Sequence, residues 1–305
     1  MGDGLALDTR AKDVKIKVYI QTYDDPDALH NNLESLYTNM GPKPDNVNLD
    51  VFVINNHPNF RLDPKFDKVV VYHDAVRPSW STGHPARTWN AALMLGFKDL
   101  NNPDCDLVVC IQDDMFWEYD WLHWLLEVHK TYNFYTCSWG DGFCSYMPEA
   151  VKKIGMWDER FCTLGIQEAD YLLRALIYNK EGSSINDIGV GRILNPWIKP
   201  VDDDDHGKVW VPGEYHLFTK QYLKGNIANR NHFDPTPRQE AGAAHHRISV
   251  AVWYDKWGGH VMPEFWTQEF VDNPTPRPKC PTYYMYPYFE KDIYDKQEKG
   301  YLAER

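Results

Sequence analysis

The stretch that most constrains this chain is DLVVCI at 106–111, an apolar run that stops abruptly at Gln112-Asp113-Asp114. A run this short and β-branched reads as a strand buried on both faces, which requires covering layers above and below it. Three other segments fit the same sheet: VKIKVYI at 14–20, ahead of Thr22, Tyr23 and an Asp-Asp-Pro turn; LDVFVI at 49–54, ahead of Asn55-Asn56-His57-Pro58; and KVVVY at 68–72. Helical spacing falls between them. It runs from Pro26 through Leu29, Leu33, Leu36 and Tyr37, with Asp27 near the start. It returns in ARTWNAALMLGF at 86–97, where Trp89, Leu93 and Phe97 recur every fourth residue, and in WLHWLLEVHK at 121–130. Strands alternating with helices predict an α/β fold with a mostly parallel central sheet and flanking helices.

Beyond residue 136 the texture changes. CSWGDGFCSYMP reads as a glycine-rich, aromatic loop, 148–155 as a short helix and 167–179 as a longer one; 180–245 reads mostly as loops, and the tail from 272 is rich in Pro and Tyr. With no repeat at a solenoid period and no linker, a single domain over 1–305 with an irregular C-terminal portion is expected.

Composition narrows the function. The hydrophobic fraction of 43% supports a large core, and a net charge of −12 argues against nucleic acid as partner. A phosphorylated ligand would then need a divalent metal to offset the carboxylates around it. The six cysteines form no CxxC pair, so reduced thiols and a cytoplasmic, soluble protein are expected. No stretch approaches the ~18 apolar residues of a membrane helix.

In open α/β sheets ligands gather outside the carboxyl ends of the strands, where Asp113 and Asp114 fall. Adjacent carboxylates there can hold Mg²⁺ or Mn²⁺; the alternative is a cap on a helix over 117–130. In QEADYLLR at 167–174, Asp170 and Arg174 share a helix face and predict an ion pair. Glu168 diverges from them and is the candidate general base toward a hydroxyl, with a solvated first-turn acid as its alternative. Single loop histidines such as His206 and His216, the His245-His246 pair and the acidic run at 202–205 fit surface loops, although any of the histidines can complete a metal shell. Trp80, Trp117, Trp139 and Trp157 flank the loops in question and can stack on a sugar ring, with Trp139 in SWGDG favoured.

Taken in order, these pieces resemble a glycosyltransferase of the GT-A fold, and most resemble the family 2 enzymes that use nucleotide-sugar donors. VYIQTYDDPDALHNNLESL is similar to that family's first strand, turn and helix; VFVINN to its second strand; GHPARTWNAAL to the helix whose basic residue and Asn approach the donor. VVCIQDDMF stands where the family has its metal-binding DxD motif. GDGFCSYMPEAVKKIGMWDERF with QEADYLLR resembles the acceptor-side segment ending in the Glu-Asp catalytic motif, and YDKWGG a C-terminal element of some members. The resemblance implies a donor half at 14–135, an acceptor and catalytic half at 136–271, and a tail at 272–305. It implies donor or nucleotide contacts from Thr22, Tyr23, Asp24, Asn55, Asn56, Arg87, Asn90, Gln112 and Asp113. It further implies acceptor contacts from Trp139 and Asp141, a Mn²⁺ or Mg²⁺ held by Asp114 with His216, and Glu168 as base. The sequence departs from the family at Gln112, which replaces the first Asp of DxD, and at Gln167-Glu168, which moves the base to a Glu.

The function implied is transfer of a sugar, with inversion, from a UDP-, GDP- or dTDP-sugar to a hydroxyl of a glycan or glycoconjugate. Two alternatives are a non-catalytic binding module of the same fold, to which Gln112 lends itself, and a sugar nucleotidyltransferase. The last usually carries a Gly-rich basic loop after its first strand, which IQTYDDPD is not.

Overall fold

A computed structural model describes residues 13–23, 25–58, 60–74, 85–130, 133–136, 142–161, 166–168, 170–171, 174–175, 218–220, 245–253 and 256. In chain order the elements are β1 (Val14–Thr22), α1 (Pro26–Thr38), β2 (Val47–Asn55), β3 (Val70–His73), α2 (Pro85–Phe97), β4 (Leu107–Gln112), β5 (Met115–Trp117), α3 (Trp121–His129), β6 (Phe134–Thr136), β7 (Phe143–Tyr146), α4 (Pro148–Ile154) and β8 (Phe218–Lys220). The described residues of segments 166–175 and 245–256 are helical.

Six strands form one sheet in the order β3-β2-β1-β4-β7-β6. The first four run parallel, while β7 pairs antiparallel with β4 and β6 antiparallel with β7. The fold is thus the α/β class anticipated, a mostly parallel sheet with flanking helices. Apolar side chains on the two faces of β1 and β4 split the core in two. Val18, Ile20, Val109 and Ile111 meet Leu29, Leu33 and Leu36 of α1 and Leu122 and Leu125 of α3. Tyr19, Val108 and Cys110 meet Ala86, Trp89 and Leu93 of α2, Val151 and Ile154 of α4, and Tyr171. This is the double covering that the unbroken apolar run of β4 demands.

Local chemistry sets the element ends. Pro26 opens α1, the Asp25 carboxylate caps it by accepting from Ala28 N at 3.0 Å, and Asp27 stands in the first turn as expected. No helix begins at 117. Met115–Trp117 pairs as a short strand with β8, and Asp120, in the left-handed region at φ 62°, turns the chain before α3. The segment read as a loop over 137–148 contains β7, which lies inside the sheet. Its Ser145 hides from that reading because a hydroxyl in a buried strand needs partners, and His129 Nε2 at 2.8 Å and Tyr135 O at 3.3 Å supply them. Among the described residues no helix is long and apolar enough to cross a membrane. Cys105, Cys110 and Cys144 are buried free thiols, and burial pushes Cys105 up to about 12.

The end of the sheet away from the site is pinned by Lys17, whose buried ammonium donates to Gly96 O at 3.0 Å and to Asp104 at 2.6 Å. Those hydrogen bonds require α2 to pass close to β1 and β4 at Gly96. A Cβ there would stand 2.4 Å from Val108 Cγ2. Gly96→Ala is therefore expected to destabilise by about 1–3 kcal/mol through overpacking, read as a lower urea midpoint with an unchanged denaturant slope. A midpoint at or above wild type would show that α2 can move away without cost.

Candidate functional site

Strand order reverses at β1, with β2 on one side and β4 on the other; in open α/β sheets this switch point is where a ligand crevice lies, at the carboxyl ends of the strands. Asp113 stitches this switch point. Its N–H donates to Gln21 O at 2.9 Å, and its carboxylate accepts from Tyr23 N at 3.4 Å. Both Asp113 and Asp114 are buried, on the turn between β4 and β5. They cap no helix, which settles the alternative reading against them.

Helix α1 holds that turn in place. Asn32, fully buried, donates from Nδ2 to Gln112 O at 3.0 Å and accepts from Trp117 Nε1 at 2.9 Å. Ser35 Oγ accepts from Trp117 N at 3.0 Å. Neither Asn32 nor Ser35 stands out in the sequence reading. The signal available was a polar pair three residues apart on the same helix face as Leu29, Leu33 and Leu36.

At the end of β2 the two asparagines divide their work. Asn55 is consumed locally: Nδ2 donates to His57 O at 2.7 Å and to His73 Nδ1 at 3.0 Å, and Oδ1 accepts from His57 N at 3.0 Å. Its donation to His73 assigns the ring proton of a neutral His73 to Nε2. Asn56 is fixed by its backbone on Thr22 O at 3.0 Å and by Thr88 Oγ1, in the second turn of α2, on its Oδ1 at 3.3 Å. Its Nδ2 is buried and finds no acceptor among the described residues. Tyr23 sets its ring edgewise on His57, 5.0 Å between centroids.

The amino end of α2 faces this same crevice. Arg87 in its first turn is half exposed and lies 3.9 Å from Asp74. Asn90 is buried deeper, bonding Trp157 O and N at 2.9 and 2.8 Å and Glu159 at 2.9 Å, which ties α2 to the turn at 157–159. Ala86 N donates to Gln167 Oε1 at 3.2 Å, so segment 166–175 abuts the start of α2, and Glu168 is next in sequence, 7% exposed. Trp117 and Trp157 are buried, the latter stacked on Tyr171 at 4.3 Å, so neither offers a face to a sugar. Asp24, Trp80, Trp139, Asp141, His206, His216 and the run at 202–205 lie outside the described residues.

Two residues beyond Glu168 in sequence, Asp170 belongs to a buried ion cluster. The pair expected between Asp170 and Arg174 is present at 3.0 Å, and Arg174 also donates to Ile154 O and Met156 O. Lys256 joins it, 2.6 Å from Asp170 and 3.0 Å from Asp158, which Arg160 also binds at 2.6 Å. Burial alone would raise Asp158, but the Lys256 charge and the Arg160 hydrogen bonds outweigh it and hold the carboxyl well below the usual carboxylate range.

Among the described residues no group of three or more His, Cys, Asp or Glu side chains is placed to hold a metal. What the crevice offers is the two carboxylates of Asp113 and Asp114. That fits a hard cation such as Mg²⁺ or Mn²⁺, which commonly takes one or two carboxylates and completes its shell with water and substrate phosphates.

No protein-family model and no curated protein matches the chain. Solved structures similar to it include a mannosyltransferase from Pyrobaculum calidifontis in complex with GDP-Man and Mn²⁺, at 14% identity and TM-score 0.35, covering 55% of this chain and 52% of that one. S. aureus TarS residues 1–349 in complex with UDP matches at 14% identity and TM-score 0.37, covering 53% and 55%. The catalytic domain of Drosophila beta1,4galactosyltransferase 7 with xylobiose matches at 13% and 0.36, covering 54% and 62%. The chain spans less than two thirds of each.

The Asp158 carboxyl generates a pH prediction. Its folded pKa lies below the ordinary 3.8, so its contribution to stability is complete above that value and is lost as pH falls through the depressed one. Asp158→Asn is expected to flatten the fall of the urea midpoint between about pH 4 and pH 2. A variant with the wild-type slope in that window would remove Asp158 from acid unfolding.

Proposed function

We propose that this chain is a glycosyltransferase that moves a sugar from a nucleotide-sugar donor to a hydroxyl of a glycan or glycoconjugate, with inversion. The observation that carries the reading is the crevice at the β1/β4 switch point, with the Asp113-Asp114 turn on one side and, next to the start of α2, the segment bearing Glu168. The sequence resemblance to family 2 enzymes supports it independently.

In this reading the crevice holds the nucleoside diphosphate. Asn56 Nδ2 donates to the base or ribose, and Arg87, half exposed at the first turn of α2, reaches a phosphate. Asp114, with Asp113 beside it, would hold a divalent cation, whose charge would stabilise the departing diphosphate. Glu168 accepts the proton of the acceptor hydroxyl as that oxygen forms its bond to the anomeric carbon. The bond from that carbon to the diphosphate oxygen breaks on the opposite face, and the configuration inverts. Burial of Glu168 keeps competing water from the carboxylate.

A thermal-shift panel of UDP-, GDP-, CMP- and dTDP-sugars, with and without Mn²⁺, tests the donor site. One nucleotide is expected to stabilise the fold only with metal, by about 2.7 kcal/mol at a hundredfold excess over Kd, and Asp114→Ala to abolish the shift. No shift with any of them would contradict the donor site. Glu168→Gln is expected to keep the shift and lose about 10²–10⁴-fold in transfer. Equal transfer would remove Glu168 from the chemistry, and a wild type that binds nucleotide without turnover would mark a binding protein.

A further inference from the structure

The ion cluster around Asp170 draws its members from three places: the turn with Asp158 and Arg160, the segment with Asp170 and Arg174, and Lys256, 98 residues from Asp158 in sequence. Buried ion pairs contribute little net stability, because desolvation offsets their attraction, so a cluster like this is better explained by what it orients. Its geometry is directional. Asp170 gives one carboxylate oxygen to Lys256 at 2.6 Å and the other to Arg174 at 3.0 Å, and is thereby fixed from two sides. The Lys256 ammonium, 1% exposed, sits between carboxylates of two different segments and 5.6 Å over the Phe161 ring. Trp253 and Ser249, in the helical residues that precede it, are buried as well.

Asp170 and Glu168 are two residues apart, about 200° around a helix. Locking Asp170 inward therefore sets the rotation of the segment and sends Glu168 away from the cluster, while Gln167 fixes the same segment against Ala86 of α2. We infer that Lys256 is a positioning residue for Glu168: it bridges Asp158 and Asp170 and so holds the Glu168 segment in the orientation that turnover requires. This rests on Glu168 acting as the base. Lys256 then completes the site from a distant part of the sequence.

The test uses the full chain, with Lys256→Met and Lys256→Met/Asp158→Asn beside wild type. Lys256→Met takes the ammonium from two buried carboxylates, Asp158 and Asp170, of which Asp158 keeps Arg160 and Asp170 keeps Arg174; the double variant removes the Asp158 charge as well. Release of nucleoside diphosphate from UDP-glucose, GDP-mannose and dTDP-glucose with Mn²⁺ and a panel of mono- and disaccharide acceptors reads turnover, and hydrogen–deuterium exchange over 166–175 reads the segment itself. Lys256→Met is expected to leave the donor KM unchanged, to lower kcat by about 100-fold, and to speed exchange over 166–175. The double variant is expected to regain melting temperature without regaining kcat. Recovery of kcat together with melting temperature would show a merely structural role and overturn the inference, as would unchanged exchange in either variant. If Lys256→Met does not fold, the double variant carries both readouts. If wild type releases no nucleotide from any of the three, the glycosyltransferase reading fails, and the exchange result alone decides whether Lys256 holds the segment.

Discussion

Everything at the candidate site depends on how the ends of β1 and β4 are joined. Parallel strands that diverge into connections on opposite faces leave a gap at their carboxyl ends, and backbone groups there must find partners or stay exposed. Asp113 closes the gap with both its N–H and its carboxylate, on Gln21 and Tyr23. One residue thus sets the distance between the loop after β1 and the turn after β4. Asn32, Ser35 and Trp117 then brace that turn from α1, so the position of Asp114 is determined by helix packing rather than by its own loop.

The other wall of the crevice is built by a different kind of force. Asn90 and Gln167 tie α2 to the turn at 157–159 and to segment 166–175 through amide hydrogen bonds, and the buried charges of Asp158, Asp170, Arg174 and Lys256 lock that segment from below. Tyr171, stacked on Trp157 and capped by the Arg174 guanidinium at 4.9 Å, joins the two systems. Directional polar contacts in a dry environment define orientation more sharply than apolar packing, at the cost of desolvation.

Much of this was legible in the sequence. The apolar run of β4 and the alternation in β1 fixed the parallel core, and Trp89, Leu93 and Phe97 marked the buried face of α2. The ion pair of Asp170 with Arg174 follows from helix periodicity alone. β7 was not legible, because FCSY among glycines carries no strand pattern and its Ser145 depends on His129, sixteen residues away. The short strand at Met115–Trp117 was hidden for a similar reason: its partner β8 is about a hundred residues distant. Asn55 and Asn56 look interchangeable in sequence, and only the hydrogen bonds to His57 and His73 separate the consumed amide from the one that keeps a donor. Lys256 was visible only as part of YDKWGG, since nothing local foretells a partner in Asp158.

A nucleoside diphosphate bound as proposed would touch the carboxyl ends of β1, β2 and β4 together. The most direct measurement is hydrogen–deuterium exchange with and without UDP, GDP or dTDP in the presence of Mn²⁺. The account predicts that one of them slows exchange together in the peptides covering Gln21–Tyr23, Asn55–His57 and Gln112–Trp117. Protection confined to another part of the chain, or none with any of the three, would contradict it.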